Sequence, residues 1–216
     1  MKTTILIAVC VLTAGAAMAG NWYTGIDAGY IEQQYHASYT YTEPGHTPDK
    51  YLDHAYGVEV NMLGGYRFEL HERVSLSAQV RASANDAEWN LFIPDEPSYL
   101  EYESPYAVFL SLVPAIRIVS QAEVFGELGV GQGYVKEEKV SPIGSSYDYS
   151  GWENAYVWGF GLRCKVSERV GLFAEYRHAG LDEFCYKSCL PDGRHWETVK
   201  DEPESSVYSV GVTCEF

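Results

Sequence analysis

Hydrophobic and polar residues alternate along most of this chain with a period of two, not with the period of a helix. The clearest run places Val74, Leu76 and Ala78 on one side of the backbone and Ser75 and Ser77 on the other. Alternation of this kind indicates a β-strand with one apolar and one polar face. We predict eight such strands, near residues 22–34, 56–70, 73–86, 104–118, 122–136, 154–166, 169–180 and 206–216.

The connections between these predicted strands alternate between short and long. Short turns are predicted at 71–72, 120–121 and 167–168, whereas long polar loops are predicted at 36–55, 87–103, 137–153 and 181–205. In an up-and-down barrel this alternation places every long loop on one rim. The predicted fold is therefore all-β: an eight-stranded antiparallel up-and-down β-barrel.

The composition agrees with this fold and argues against nucleic acid as a partner. The 216 residues include 18 Tyr and 20 Gly, which favour strands and close packing or turns, respectively. Acidic residues outnumber basic ones by 30 to 15, giving a formal charge of −15. Binding to nucleic acid requires a basic surface for the phosphates, so we predict no nucleic-acid partner.

The N-terminus has the organisation of a secretory signal peptide. Lys2 precedes an apolar run at 5–12, and Ala17-Met18-Ala19 provides the small residues of a cleavage site. We therefore predict a signal peptide at 1–19 and a barrel domain at 20–216. The alternative, a retained anchor, is disfavoured because the run is shorter than the ~20 residues of a spanning helix.

The charged residues of the predicted strands share the polar face, which favours a membrane barrel over a soluble barrel such as a lipocalin. A lipid-facing Arg near the membrane midplane would cost ~2–4 kcal/mol, so these charges should point into the lumen of a transmembrane barrel. We predict that they form a paired network that fills the narrow lumen, with the lining of a conducting pore as the alternative. The predicted network comprises Asp27, Glu59, Arg67, Arg81, Arg117, Glu127, Arg163, Lys165, Glu175 and Arg177.

The most specific motif lies at the C-terminus, where Ser209 and Gly211 precede alternating hydrophobic residues that end at Phe216. It resembles the insertion signal read by the barrel-assembly machinery. With the predicted topology, the chain resembles small eight-stranded outer-membrane β-barrels, the group that contains the OmpA transmembrane domain and the OmpX/Ail adhesion proteins. The resemblance implies a location in the bacterial outer membrane, among its lipid and lipopolysaccharide. The peptidoglycan-binding domain of full-length OmpA proteins is not expected after Phe216.

By the same resemblance, we expect a structural, adhesive or protective surface protein with four extracellular loops. Its candidate partner is a host or cell-surface protein. A narrow solute channel similar to the OmpW-type barrels is the alternative. A lipid-modifying enzyme is a third reading, because His178 should face outward as the histidine of lipid A deacylases does. Its neighbour Ala179 replaces the nucleophilic Ser, so we predict no enzyme activity, cofactor or metal site.

Four cysteines follow the predicted cleavage site. Cys185 and Cys189 share the longest predicted loop, and because the periplasm is oxidising we predict a disulfide between them, with two free thiols as the alternative. Cys164 and Cys214 fall on strands separated by a third strand, ~9–10 Å apart at two strand spacings. A disulfide needs Cα atoms within about 7 Å, so this second pair should stay reduced.

Overall fold

A computed structural model describes residues 20–41, 49–93, 98–140, 147–189 and 195–216, and this part of the chain consists of β-strands and their connections. The strands are β1 (Gly20–Tyr41), β2 (Asp49–His71), β3 (Val74–Asn85), β4 (Glu88–Ile93), β5 (Ser98–Val119), β6 (Ala122–Val140), β7 (Tyr147–Lys165), β8 (Val170–Leu181), β9 (Phe184–Cys189), β10 (His195–Asp201) and β11 (Glu204–Glu215). Within these ranges, a search for helices of sufficient length and apolarity to cross a membrane finds none. The predicted signal peptide at 1–19 lies outside the described residues.

Eight of the strands form a closed antiparallel ring. Their order is β1, β2, β3, β5, β6, β7, β8 and β11, and β11 pairs with β1 to close the ring. The closing register sets Tyr23 opposite Glu215 and Tyr30 opposite Tyr208. The predicted all-β fold, an eight-stranded antiparallel barrel, is therefore confirmed.

The predicted long loops are wrong in part, because each of them contains strand. β1 continues to Tyr41, and β6 continues to Val140. The short β4 pairs with β5, and the hairpin of β9 and β10 pairs with β1. These segments lack regular alternation in sequence, and pairing with a neighbouring strand keeps them extended. The barrel strands therefore continue past the predicted strand ends on the side opposite the short turns. This part is here called the extracellular extension, because we predict that the long loops face the outside of the cell.

An apolar band surrounds the outside of the ring. On β2 the outward residues Val58, Val60 and Met62 expose 54%, 53% and 68% of their surface. Aromatic rings collect at the extracellular edge of this band, including Tyr176 and Tyr208 with ring centres 5.1 Å apart. An apolar band edged by aromatic residues is the surface that a transmembrane barrel presents to lipid.

The inward side chains fill the lumen in alternating charged and apolar layers. Along β6, Glu123, Phe125 and Glu127 belong to a charged, an apolar and a second charged layer in turn. The apolar layer consists of Tyr23, Leu63, Val113, Ala115, Phe125 and Phe173. Gly211 makes room for it, because an added Cβ would lie 2.5 Å from the Phe173 ring. The core of this barrel is thus its filled lumen.

Candidate functional site in the lumen

Arg81 on β3 is the centre of the charged layer nearer the extracellular side, here called the upper charged layer. Its Nη1 lies 2.9 Å from Asp27 Oδ2 and 2.6 Å from Glu175 Oε1, and its Nη2 lies 3.1 Å from Glu127 Oε2. The three carboxylates come from β1, β8 and β6. One guanidinium, 1% exposed, therefore ties together four strands across the lumen.

Arg177 on β8 completes the upper charged layer. It donates hydrogen bonds to Glu59 and, over 3.2 Å, to Glu175 Oε1. Asn61 Nδ2 donates to Asp27 Oδ1 at 2.6 Å and to Glu59 Oε1 at 2.8 Å. The layer thus contains the carboxylates of Asp27, Glu59, Glu127 and Glu175 and the guanidiniums of Arg81 and Arg177.

A lower charged layer lies nearer the short turns, on the periplasmic side of the apolar layer. Arg67 donates to Glu123 and, over 3.0 Å, to Glu215 Oε1. Arg163 Nη1 lies 2.9 Å from Glu123 Oε1, and its guanidinium lies 5.0 Å from the centre of the Phe125 ring. The Arg163 contact with Phe125 joins the lower charged layer to the apolar layer.

The structure brings together eight of the ten predicted lumen residues, all buried and ion-paired: Asp27, Glu59, Arg67, Arg81, Glu127, Arg163, Glu175 and Arg177. Lys165 lies at the rim, with its side chain 32% exposed and its Nζ 3.3 Å from Glu215 Oε2. Arg117 also lies at the rim, with its side chain 33% exposed and its Nη2 3.9 Å from Glu69 Oε2, a carboxylate whose Oε1 lies 3.3 Å from Arg67 Nε.

The sequence reasoning missed Glu123, Glu215 and Asn61 as members of the two charged layers. Glu123 is the most important of them, because it pairs with both Arg67 and Arg163. It precedes Glu127 by four residues on the same strand and therefore shares its face. Glu123 already lies in the predicted strand at 122–136, so applying the alternation of that strand from Glu127 back to Glu123 would have found it.

Tyr35 and Tyr102 lie above the upper charged layer, toward the extracellular end. Tyr35 donates a hydrogen bond to Glu137 Oε1 at 3.1 Å, and its ring centre is 4.8 Å from that of Tyr102. Burial raises the pKa of Tyr102 well above its ordinary value, and the carboxylates of Glu137 and Asp201 raise that pKa further. Beneath these rings is a cavity of about 40 Å³, here called the upper cavity, lined in part by Gln33, Glu59, Ser104, Tyr102 and Arg177.

His178 lies on the outer surface, at the extracellular edge of the apolar band. Its ring centre is 5.3 Å from that of Trp158, and its Nε2 is 3.9 Å from Glu204 Oε2. The register of β8 and β11 sets Ser206 directly opposite His178. The sequence reasoning looked for a Ser only beside His178 in the chain and therefore missed this one. Ser206 Oγ hydrogen-bonds with the Tyr176 hydroxyl at 3.2 Å.

Cys164 and Cys214 are free thiols, and β8 separates their strands as predicted. The side chains of Cys185 and Cys189 lie outside the described residues, so their predicted disulfide stays a prediction. Their backbone belongs to one strand, β9, which holds Cα atoms four residues apart at about 13 Å. Because a disulfide spans at most about 7 Å, the bridge requires β9 to open between them.

The C-terminal motif divides between the two faces of β11. Ser209 is buried, and its hydroxyl donates to Glu175 Oε1 at 3.4 Å. Gly211 lies against the Phe173 ring in the lumen, whereas Phe216 is 73% exposed. The backbone N–H of Phe216 donates to the Trp22 carbonyl at 2.8 Å, so this end of the chain is held to β1. The role of the motif in assembly stays a prediction.

Comparison with known proteins gives a family and a fold. A family model described as "Outer membrane protein beta-barrel domain" matches residues 4–216. The solved outer-membrane protease OmpT of Escherichia coli is 9% identical, with a TM-score of 0.54 over 94% of this chain and 100% of that chain. The outer-membrane protein OprG of Pseudomonas aeruginosa is 11% identical, with a TM-score of 0.52 over 92% of this chain and 98% of that chain. Ail, the attachment invasion locus protein of Yersinia pestis, is 20% identical, with a TM-score of 0.40 over 92% of this chain and 100% of that chain. No curated protein matches the sequence.

Proposed function

We propose a non-conducting surface role for this chain, which belongs to the outer membrane protein beta-barrel domain family and resides in the bacterial outer membrane. In this role the barrel is the anchor, surrounded by lipid and lipopolysaccharide, and the extracellular extension is the working surface. The observation that carries the proposal is the filled lumen. Its physical consequences are a closed path for ions and a rigid base for the extension.

Two successive barriers support a closed path. In the upper charged layer Arg81 is 1% exposed and Glu127 is 2% exposed, so the centre of the lumen is occupied by paired side chains. Below it, Phe125 and Phe173 pack edge to face with ring centres 6.3 Å apart. A hydrated ion would have to break the buried ion pairs and then cross an apolar constriction that excludes water.

The described part of the extracellular extension is strongly acidic. Its exposed carboxylates include Asp86, Glu88, Asp148, Asp182 and Glu202. Charge of one sign steers partners of the opposite sign and makes association sensitive to salt. We therefore propose an adhesive or protective role in which the extension binds a cationic surface of a host or cell-surface protein.

Planar-bilayer recording tests the closed lumen. Purified barrel should give no discrete conductance steps, whereas the triple variant Arg81→Ala, Phe125→Ala and Phe173→Ala, which opens both barriers, should leak. The single variant Val210→Ala, on the lipid face, is the matched control and should stay silent. Discrete steps from the unaltered protein would contradict the proposal and favour the solute-channel alternative.

A gene-deletion strain tests the surface role. Uptake of small solutes should not change, and binding of the cells to a cationic surface should fall. The full chain should restore binding, whereas a chain with Glu88→Gln, Asp148→Asn, Asp182→Asn and Glu202→Gln should insert normally without restoring it. Altered uptake with unaltered adhesion would count against the surface role.

Lipid-ester hydrolysis is a second candidate function, favoured by the outward pair of His178 and Ser206. A Ser nucleophile needs a base within hydrogen-bond reach and a third group to orient that base. Here Glu204 lies 3.9 Å from His178, but the Ser206 hydroxyl is engaged with Tyr176. Release of fatty acid from outer-leaflet lipid, abolished by Ser206→Ala and retained by the inward-facing Ser205→Ala, would support this function. No release from the unaltered protein would dismiss it.

We also propose that residues 1–19 are a cleaved signal peptide. The support is the sequence pattern, in which Lys2 and the apolar run at 5–12 precede the small residues Ala17 and Ala19. N-terminal sequencing of protein purified from outer membranes should begin at Gly20. A chain that retains Met1 would contradict this proposal.

A further inference from the structure

The upper charged layer contains more negative than positive charge. Its ionisable members are Asp27, Glu59, Glu127 and Glu175 against Arg81 and Arg177, and none is more than 7% exposed. With all six ionised, four carboxylates against two guanidiniums leave a surplus of two negative charges. In the lower charged layer Arg67, Arg163 and Lys165 have their own partners in Glu123 and Glu215. Because uncompensated buried charge costs several kcal/mol, the surplus needs a counter-charge.

Gln33, at the wall of the upper cavity, provides an acceptor that no described residue uses. Asn85 Nδ2 donates to the Ser104 carbonyl at 2.7 Å, and Asn85 Oδ1 accepts from the Ala87 N–H at 3.1 Å. These two bonds fix the Asn85 amide, so the Gln33 Nε2 donates to Asn85 Oδ1 at 3.4 Å. Gln33 Oε1 is thereby left as a buried acceptor without a hydrogen bond among the described residues.

The Tyr102 hydroxyl adds a second oxygen of this kind. Tyr102 is 2% exposed and lines the same cavity, and among the described residues its hydroxyl has a contact with the Ser104 side chain but no well-formed hydrogen bond. Glu59, which belongs to the layer with surplus negative charge, also lines the cavity, beside the Arg177 guanidinium that donates to it. An amide oxygen, a hydroxyl and a carboxylate therefore border one space of about 40 Å³.

We propose that the upper cavity binds a hard divalent cation, in contact with Gln33, Tyr102 and Glu59 directly or through water. Two positive charges cancel the surplus of the upper charged layer. Carboxylate and amide oxygens and water are the ligands of such cations, and the flexible coordination of Ca²⁺ tolerates neutral oxygens and water better than that of Mg²⁺. A buried water needs roughly 10–15 Å³ of cavity volume. The upper cavity of about 40 Å³ therefore has room for an ion with part of its hydration shell.

Buried water alone would satisfy Gln33 and Tyr102 but would leave the charge surplus unchanged. An acidic group at the surface, formed by the exposed Glu88 and the half-buried Glu101 and Glu103 on β4 and β5, is a competing place for a cation. Lys136 Nζ already lies 4.0 Å from Glu101 and from Glu103. The experiment must therefore separate the upper cavity from this group.

Thermal unfolding of the purified mature barrel in detergent, with Ca²⁺ added after chelation at constant ionic strength, measures binding. A cation that binds only the folded state raises the melting temperature in a saturable way. Tyr102→Phe and Gln33→Leu should weaken the apparent Ca²⁺ affinity by about tenfold or more, the usual loss on altering a supporting group of a metal site. Tyr102→Phe keeps the ring and its packing on Tyr35, so this variant should fold normally.

Two matched variants complete the test. Gln34→Leu changes the neighbouring, outward Gln, and Glu101→Gln with Glu103→Gln disables the acidic group at the surface; both should keep the Ca²⁺ response. Tyrosine-sensitised Tb³⁺ emission, displaced by Ca²⁺, should fall in Tyr102→Phe. A response lost in the Glu101 and Glu103 variant, or equal in all variants, would overturn the proposal. So would a barrel indifferent to Ca²⁺ whose stability rises as the pH is lowered, because protons would then neutralise the surplus.

Discussion

Replacing Arg81 by Met would test whether the upper charged layer holds the barrel together. Met retains the apolar stem of the side chain but has no donor. Asp27, Glu127 and Glu175 would then lose contacts of 2.9, 3.1 and 2.6 Å in a region that excludes water. Breaking a buried ion pair by removing one partner costs on the order of 3–5 kcal/mol. Because three carboxylates share this one partner, we expect a loss near the upper value, about 5 kcal/mol.

Urea unfolding of the folded barrel in micelles, followed by tryptophan fluorescence, measures this loss as a change in the free energy of unfolding. Arg117→Met is the matched control, because it removes the same atoms from a side chain that is 33% exposed and 3.9 Å from Glu69. Partly exposed pairs of this kind contribute about 0–1 kcal/mol. Adding Asp27→Asn to Arg81→Met should recover part of the loss, because it removes one of the carboxylates left without a positively charged partner.

Equal effects of Arg81→Met and Arg117→Met would refute this reasoning. They would mean that water reaches Arg81 and screens its contacts as it screens surface charge. A lumen that wet would also contradict the closed path for ions. A larger loss for Arg81→Met that shrinks as the pH is lowered is the expected pattern, because protonated carboxylates no longer repel one another.

Three further predictions concern the ends and the extension of the barrel. Deleting Phe216 should lower the amount of folded protein in the outer membrane and leave precursor in the periplasm; unchanged insertion would show that the motif is not an assembly signal. Non-reducing mass spectrometry should find Cys164 and Cys214 reduced; a Cys185–Cys189 bridge there would show that β9 opens between its two cysteines. Burial and the Glu153 carboxylate raise the pKa of Tyr149 to about 12. Its contact with Glu153 should therefore persist below pH ~10 and be lost as the pH rises through about 12. In ultraviolet titration, Tyr149→Phe should remove a phenol that ionises near pH 12 rather than near 10.

The alternation of residue types determined the strands and the two faces of the barrel. Val74, Leu76 and Ala78 against Ser75 and Ser77 already separate a lipid side from a lumen side. This separation is a local property, because successive side chains of a strand point to opposite faces whatever the strand pairs with. Charge completes the inference, since Arg residues are costly on the lipid side. The sequence alone therefore predicted the barrel, its membrane location and most of the buried charges.

Only the tertiary structure decided which side chains meet. Arg81 and Asp27 are 54 positions apart, and Arg67 and Glu215 are 148 apart, so each contact depends on the register and closure of the ring. The same dependence set Ser206 opposite His178, where the neighbouring residue in the chain had indicated no Ser. It also extended strands into segments that have no alternation, because backbone pairing does not require it. The face to which a side chain points follows from its position in the alternating sequence, whereas the residue that it contacts depends on the register of the closed sheet.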